Sequence, residues 1–273
     1  VTNISSELVY FVKVDVPPLP EQRKIATILG TWDKAISTTE RLIDNSKQQK
    51  KALMQQLLTG KKQFLGFDGE WETGYLGSLC TLKGGSAFKE IYQGESSGDL
   101  PFIKVSDMNL PMNTKFIQNA NHWVSESTAK KIKAKSFPLG SIVFAKVGAA
   151  LLLNRRRILI QNTIIDNNMM AAIPHSNCDT EYLYQMMLAI DFAKFVQDGA
   201  VPSVNQSDLS KFKISYPSLP EQRKIASALS AADQEIDTLQ QKLTHLKQEK
   251  KALMQQLLTG KRRVKVDNET EAA

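Results

Sequence analysis

The sequence predicts an α+β protein: a globular mixed domain together with two long helices forming an antiparallel coiled coil. Three observations predict it. The chain spells one stretch twice at an offset of 200 residues, LPEQRKIA at 19–26 and 219–226, and KKALMQQLLTGK at 50–61 and 250–261. Between those ends the letters drift, but apolar residues keep alternating steps of four and three, the spacing of a heptad seam. The residues between the two copies break into short β-rich runs punctuated by Gly, Pro, Asn and Ser, with two helical stretches among them.

In the first copy the seam runs through Ile25, Leu29, Trp32, Ile36, Thr39, Ile43, Ser46, Lys50, Leu53 and Leu57. In the second it runs through Ile225, Leu229, Ala232, Ile236, Leu239, Leu243, Leu246, Lys250, Leu253 and Leu257. The apolar members of both sets are the expected coiled-coil contacts. Pro20 and Pro220 begin the helices where a missing N–H does no harm, and Glu21 and Glu221 suit the positive end of the helix dipole. Gly60 and Gly260, followed by lysines or arginines, are stop signals. Each helix should be about 60 Å long at 1.5 Å per residue. The first ends where the middle domain begins and the second begins where that domain ends. A domain of this size has a radius of gyration of roughly 15 Å, which brings Gly60 near Pro220 and favours antiparallel pairing. The two tips are then chemically alike, related by a pseudo-two-fold axis, with a domain expected at one and the other bare.

At 273 residues and 42% apolar, the chain can bury a core in one or two domains besides the helices. Its net charge of +7 favours an anionic partner. The excess lies on the repeats, +5 over residues 21–63 and +5 over 221–265, whereas 64–200 is neutral. A solvated helical face explains that excess as readily as a phosphate-contacting one. Cys80 and Cys178 stand alone, as in a reducing, cytoplasmic compartment. His122, His175 and His245 lack metal-ligand spacing, so no metal is expected. No apolar run approaches the ~20 residues of a membrane span, and no membrane association or signal peptide is expected. The first residue is Val1, and the chain is expected to be a fragment of something longer.

In order, residues 1–16 resemble 201–216 with a one-residue gap, and each segment precedes Pro-x-Leu-Pro-Glu-Gln. They are expected to be the remnant of an upstream domain. Residues 17–62 form the first helical repeat, 63–216 the globular domain, 217–263 the second repeat and 264–273 a tail. Within the domain, strands are expected at 79–82, 102–105, 142–145 and 158–160. A short serine-capped helix is expected over 125–135, and a longer one over 180–196 with Leu183, Met187, Ile190 and Phe195 inward.

There is no GxxxxGK[ST] phosphate loop, no GxGxxG after a strand and no HExxH. The Asn-Pro-Pro-aromatic tetrad of adenine methyltransferases and a Ser, His, Asp grouping are also missing. No catalytic residue and no cofactor are expected. The domain instead offers glycines and strand ends beside polar side chains: Lys83 and Ser86 around Gly84-Gly85, Lys104 and Ser106, and Lys146 before Gly148. Asn154, Arg155, Arg156, Arg157, Asn167, Asn168, Asn205 and Gln206 complete the set. Arg pairs bidentately with guanine and Asn or Gln with adenine, while Lys and backbone N–H groups hold phosphates. These residues are therefore candidates for a DNA-reading surface. The other reading at this point is a structural adaptor, a coiled coil presenting a domain that binds a ligand other than nucleic acid.

The arrangement resembles the specificity (S) subunit of type I restriction–modification enzymes, lacking most of the first target-recognition domain. The resemblance rests on Pro17-Pro18-Leu19-Pro20-Glu21-Gln22-Arg23 and Pro217-Ser218-Leu219-Pro220-Glu221-Gln222-Arg223, which resemble the repeat signature of that family. Trp71, Leu76-Gly77, Lys83-Gly84, Pro101 to Asp107, Gly140-Ser141-Ile142, Lys146-Val147-Gly148, Asp166-Asn167-Asn168 and Val201-Pro202-Ser203 look like its recognition-domain landmarks. The resemblance implies a non-catalytic subunit that reads a half-site in double-stranded DNA and docks methyltransferase (M) subunits on its helices. Through them a restriction (R) subunit would join, and the coiled coil would act as a ruler. With two like tips and one domain, the chain is also expected to be able to form a homodimer.

Overall fold

A computed structural model describes residues 16–196 and 201–266. The expected upstream remnant, apart from its last residue, and most of the expected tail lie outside the described residues. Two helices of 39 residues, α1 (Leu19–Leu57) and α7 (Leu219–Leu257), frame the chain as an antiparallel coiled coil. Both carry their glutamate in the first turn, where the unpaired N–H groups favour negative charge. Gly60 and Gly260 take the left-handed conformation that ends a helix, at φ 70° and 69°. Behind them the N–H groups of Lys62 and Arg262 return to the carbonyls of Gln56 and Gln256, at 3.2 and 3.0 Å. The stops of the two copies are thus built alike.

The chain divides into two compact units, one holding the helical residues up to 49 and from 232 on, the other residues 50–231. In the first, Lys250 pairs with Asp33, Lys247 Nζ donates to Glu40 Oε1 at 2.7 Å, and Ser46 Oγ donates to Glu235 Oε1 at 3.2 Å. Numbers rise along one helix as they fall along the other. Arg263 Nε reaches both oxygens of Glu21, at 2.7 and 2.9 Å, and this bond holds the carboxyl below its usual range. Ile25, Thr39, Ile43, Ser46 and Ile236 are buried, while Leu29, Trp32, Ile36, Leu239, Leu243 and Leu246 are half-buried.

The second unit opens and closes on a two-stranded antiparallel ribbon, β1 (Glu72–Tyr75) against β11 (Lys213–Tyr216), in register from Glu72↔Tyr216 to Tyr75↔Lys213. The helical turn α2 (Leu76–Leu79) leads into β2 (Cys80–Gly84), followed by β3 (Leu100–Ile103), β4 (Phe116–Ile117) and β5 (His122–Val124). Next come the Ser125-capped helix α3 (Glu126–Lys131), then β6 (Ser136–Phe137), β7 (Ile142–Ala145), the single turn α4 (Ala149–Leu152) and β8 (Arg157–Leu159). The remainder is β9 (Thr163–Ile165), β10 (Met169–Pro174), α5 (Thr180–Ala189) and α6 (Gln206–Ser210). One sheet has the order β2-β10-β7-β8-β4, the other β5-β3-β9-β6.

Alternation along the strands assigns each face. Ile142, Phe144, Met170 and Ala172 join Leu76, Leu79, Leu82 and the α5 residues Tyr182, Leu183 and Met187 in one core, which also takes Leu57, Ile225 and Leu229 from the long helices. Val143, Met169 and Ala171 point the other way and meet Ile103, Ile117, Phe137 and Ile165 between the sheets. Phe102 and Ile164 fill the outer face of the second sheet with Val124 and Ala129, the ring of Phe102 stacking on Phe88 at 4.1 Å. Both thiols lie in the first core, where burial raises Cys80 to about 12 and pushes Cys178 higher still.

The strand expected at 142–145 is found there, and that at 158–160 begins one residue earlier. The others shift by two residues or less: α2 takes Leu79, and β3 runs two residues earlier, over Leu100–Ile103, with a 3-10 turn over Val105–Asn109 behind it. The helix expected to reach 196 stops at Ala189, and a separate 3-10 turn follows at Phe192–Phe195. Ile190 is extended, and its carbonyl accepts from Arg156 Nη2 at 3.1 Å in place of a helical N–H.

Ile236→Asp would bury a carboxylate on the helix interface and should lower stability by about 3–5 kcal/mol. Urea denaturation followed by circular dichroism measures it; a loss under about 1 kcal/mol would contradict the packing described.

Candidate nucleic-acid interface

Strand polarity gathers the candidate residues. β2 and β7 both run antiparallel to β10, and β8 runs antiparallel to β7. The ends of β2 and β7 and the starts of β8 and β10 therefore share one edge of the first sheet. β3 and β9 are parallel, so their ends share an edge of the second sheet, and residues 166–168 join the two edges. Around this line lie Lys83 and Ser86, Lys104 and Ser106, Lys146, residues 154–157, Asn167 and Asn168. Asn205 and Gln206 are brought in by backbone bonds from Val204 N to Lys146 O and from Gly148 N to Pro202 O, at 3.0 and 2.8 Å.

The crossing between sheets is tight. Gly85 N donates to Met169 O at 3.0 Å and Ser86 N to Ile165 O at 3.1 Å. A Cβ on Gly85 would lie 2.1 Å from the carbonyl oxygen of Asp166, so the backbones meet only because no side chain stands between them. The carboxylate of Asp166 accepts from Asn168 N at 2.8 Å, and Lys146 N bonds to Asn168 O at 2.9 Å.

The segment 104–121, which carries β4, is organised by two buried polar side chains that sequence reasoning did not single out as site residues. Asp107 accepts from Lys104 N at 2.7 Å and from Asn121 N at 2.9 Å. Asn113 donates to the carbonyls of Asp107 and Asn119, both at 2.7 Å, and accepts from Gln118 N and Asn119 N. A short polar side chain bonding to nearby backbone is a recurring turn device; the spacing Asp107 to Asn113 is the signal that was available. Lys104 Nζ is itself engaged by Gln93 Oε1.

Residues 154–157 are adjacent in sequence but not alike in role. Arg155 is exposed and reaches Asn109 Oδ1, a third residue sequence reasoning missed. Arg157 is half-buried, its guanidinium held by the carbonyls of Met108, Asn113 and Arg156. Arg156 corrects the expectation of a DNA-facing residue. It is 1% exposed, its guanidinium lies 3.6 Å from the centre of the Phe192 ring, and Nη2 donates to Asn154 Oδ1 and Ile190 O. Burial pulls its pKa down to about 9, with Asp191 opposing the shift, so at neutral pH it stays charged. Asn154 sits at φ 51° and links the group: its oxygen also accepts from Phe192 N at 3.0 Å, and its amide donates to Asp191 Oδ1 at 2.8 Å. That bond, and the one from Ala193 N, hold Asp191 below the usual carboxylate range. Asn205 likewise caps α6 through Ser207 N at 2.8 Å.

The side chains open to solvent along the edge are thus Lys83, Ser106, Arg155, Asn167, Asn168, Asn205 and Gln206, with Ser86 and Lys146 partly so. Cations, amides and hydroxyls prevail there, a set suited to phosphate oxygens and base edges. Among the described residues no cluster of His, Cys, Asp or Glu could hold a metal ion.

The family described as type I restriction modification DNA specificity domain matches residues 68–248. The type I restriction enzyme MjaVIII specificity subunit of Methanocaldococcus jannaschii is 24% identical over 283 residues, covering 97% of this chain and 65% of that protein. A chain from a solved type I R-M system superposes with a TM-score of 0.64 at 18% identity, over 95% of this chain and 64% of that one. The HsdS subunit from Thermoanaerobacter tengcongensis gives 0.56 at 19% identity, over 96% and 64%. The chain therefore spans a little under two thirds of the length of these relatives.

Arg156→Ala would remove the stacked guanidinium and strand the acceptors it serves, at a cost of about 2–4 kcal/mol. Arg155→Ala should stay within about 0.5 kcal/mol. Chemical denaturation of the two variants checks the contrast, and equal effects would refute the assignment of one brace and one surface residue.

Proposed function

The chain belongs to the type I restriction modification DNA specificity domain family, and on that premise we propose that it is a non-catalytic subunit reading one half-site in double-stranded DNA through its sheet edge. The observation that carries the proposal is the gathering of Lys83, Lys146, Arg155, Asn167, Asn168 and Gln206 on one line of strand ends. The neutral net charge of residues 64–200 does not oppose it, because phosphate contact depends on where the cations lie. The paired helices supply a stiff spacer and a surface for M subunits, with an R subunit joining through them. Their repeats carry +5 each, which suits acidic partner surfaces or phosphate. None of the described helices is long and apolar enough to cross a membrane; a cytoplasmic setting is part of the proposal. Two chains in one assembly would present two reading edges to an interrupted palindrome.

A salt titration of DNA binding tests the reading. Log affinity should fall linearly with log salt, and Arg155→Ala should reduce the slope by about 1. Binding indifferent to salt and to sequence would favour the adaptor reading instead. For the assembly, mass photometry of the chain with M subunit and a duplex carrying its methylation-mapped site should show a complex with two copies of the chain. A single copy at saturating concentration would remove the homodimer.

A further inference from the structure

Between Lys146 and Arg157 the chain makes an excursion fastened at both ends, yet it displays two leucines. At one end Gly148, at φ 82°, donates its N–H to Pro202 O at 2.8 Å, and Lys146 O accepts from Val204 N at 3.0 Å. In the middle Leu151 plugs into the core. At the other end Asn154, Arg156 and Arg157 tie the loop to Asp191, Phe192, Ile190, Met108 and Asn113. Leu152 and Leu153, between these anchors, remain 49% and 56% exposed. Leu151 already supplies the apolar contact that roots the loop, so folding gains little from the two that follow. What sets them apart from other exposed apolar residues is that they are adjacent and held between anchors on a line with the candidate polar side chains.

Their surroundings say what occupant would suit them. Residues 146–157 contain no carboxylate, and of their four cations Arg156 and Arg157 are tied inward, which leaves Lys146 and Arg155 to flank the leucines; the Asp191 carboxylate beside the loop is engaged by Asn154 and by Ala193 N. An anionic occupant is favoured over an acid-free protein surface, and it must offer an apolar patch within reach of its charge. Duplex DNA does: the 5-methyl group of thymine projects into the major groove beside acceptor-rich base edges and phosphates. We propose that Leu152 and Leu153 seat a thymine methyl group in the major groove, with Arg155 hydrogen-bonding a neighbouring base or phosphate, and that they determine one position of the recognised sequence. The inference rests on the DNA-reading function and adds to it an apolar specificity contact.

The test uses the chain with its M subunit and duplexes carrying the site mapped from host methylation, with each thymine of the half-site replaced in turn by uracil. In the unaltered protein, one replacement should weaken binding about fourfold, the order expected for one buried methyl group. In the Leu152→Ala, Leu153→Ala double variant, thymine and uracil duplexes should bind alike, with the salt slope unchanged and the melting temperature preserved. A half-site without an A·T pair overturns the inference, as does wild-type binding indifferent to every replacement, or a variant that keeps the full methyl discrimination. In those cases sequence-specific, salt-dependent binding would persist and the DNA-reading function would stand; absence of any such binding would remove both.

Discussion

Everything in the domain depends on the chain leaving and re-joining the helix pair at one place. The end of α1 and the start of α7 lie together in the second unit, where Leu57, Leu58, Ile225, Ala226 and Leu229 share one core with the first sheet and α5. This is what antiparallel pairing of two equal helices requires, and it makes β1 and β11 neighbours. Once the first and last strands are held in register, the two short-stranded sheets are enclosed between them. The strand ends then fall along one line, and the polar loops follow from that.

Heptad spacing survives loss of letter identity in the repeats, although Leu57, Ile225 and Leu229 from the expected seam pack into the core of the second unit. Thr39 and Ser46 occupy seam positions in the first copy, against Leu239 and Leu246 in the second, and Ser46 uses its place to bond Glu235. Of the strands, β2, β3, β7 and β8 were legible as short apolar runs, though their bounds moved by up to two residues, whereas β9 and the six-residue β10 were not expected. Asp107 caps the turn that follows β3, and Arg156 takes the carbonyl of Ile190 just past the end of α5. Neither event leaves a mark in periodicity: the first is a side-chain bond to a backbone N–H three residues away, and the second joins residues 34 apart.

The candidate site was legible in composition but not in role. Arg155, Arg156 and Arg157 are identical letters, and only the positions of Phe192 and of the 104–121 loop separate a surface cation from a buried brace. The repeat makes the same point about a glutamine. Gln222 is buried, its oxygen accepting from Asp179 N at 3.0 Å and its amide donating to the carbonyls of Asn177 and Pro217. Gln22, the same letter in the same motif, is exposed and donates to Pro17 O at 2.7 Å. Identical sequence thus performs different work according to what is packed upon it.

The contact between Gly85 and the Asp166 carbonyl limits how such a reader could be altered. A change of target requires new side chains on the loops around the crossing, and those loops can vary because their tips face solvent. The crossing itself admits no enlargement, not even by one carbon. Redesign of this surface would therefore keep that glycine as a pivot and diversify the positions on either side of it, so that altered preference need not come at the expense of the sheets beneath.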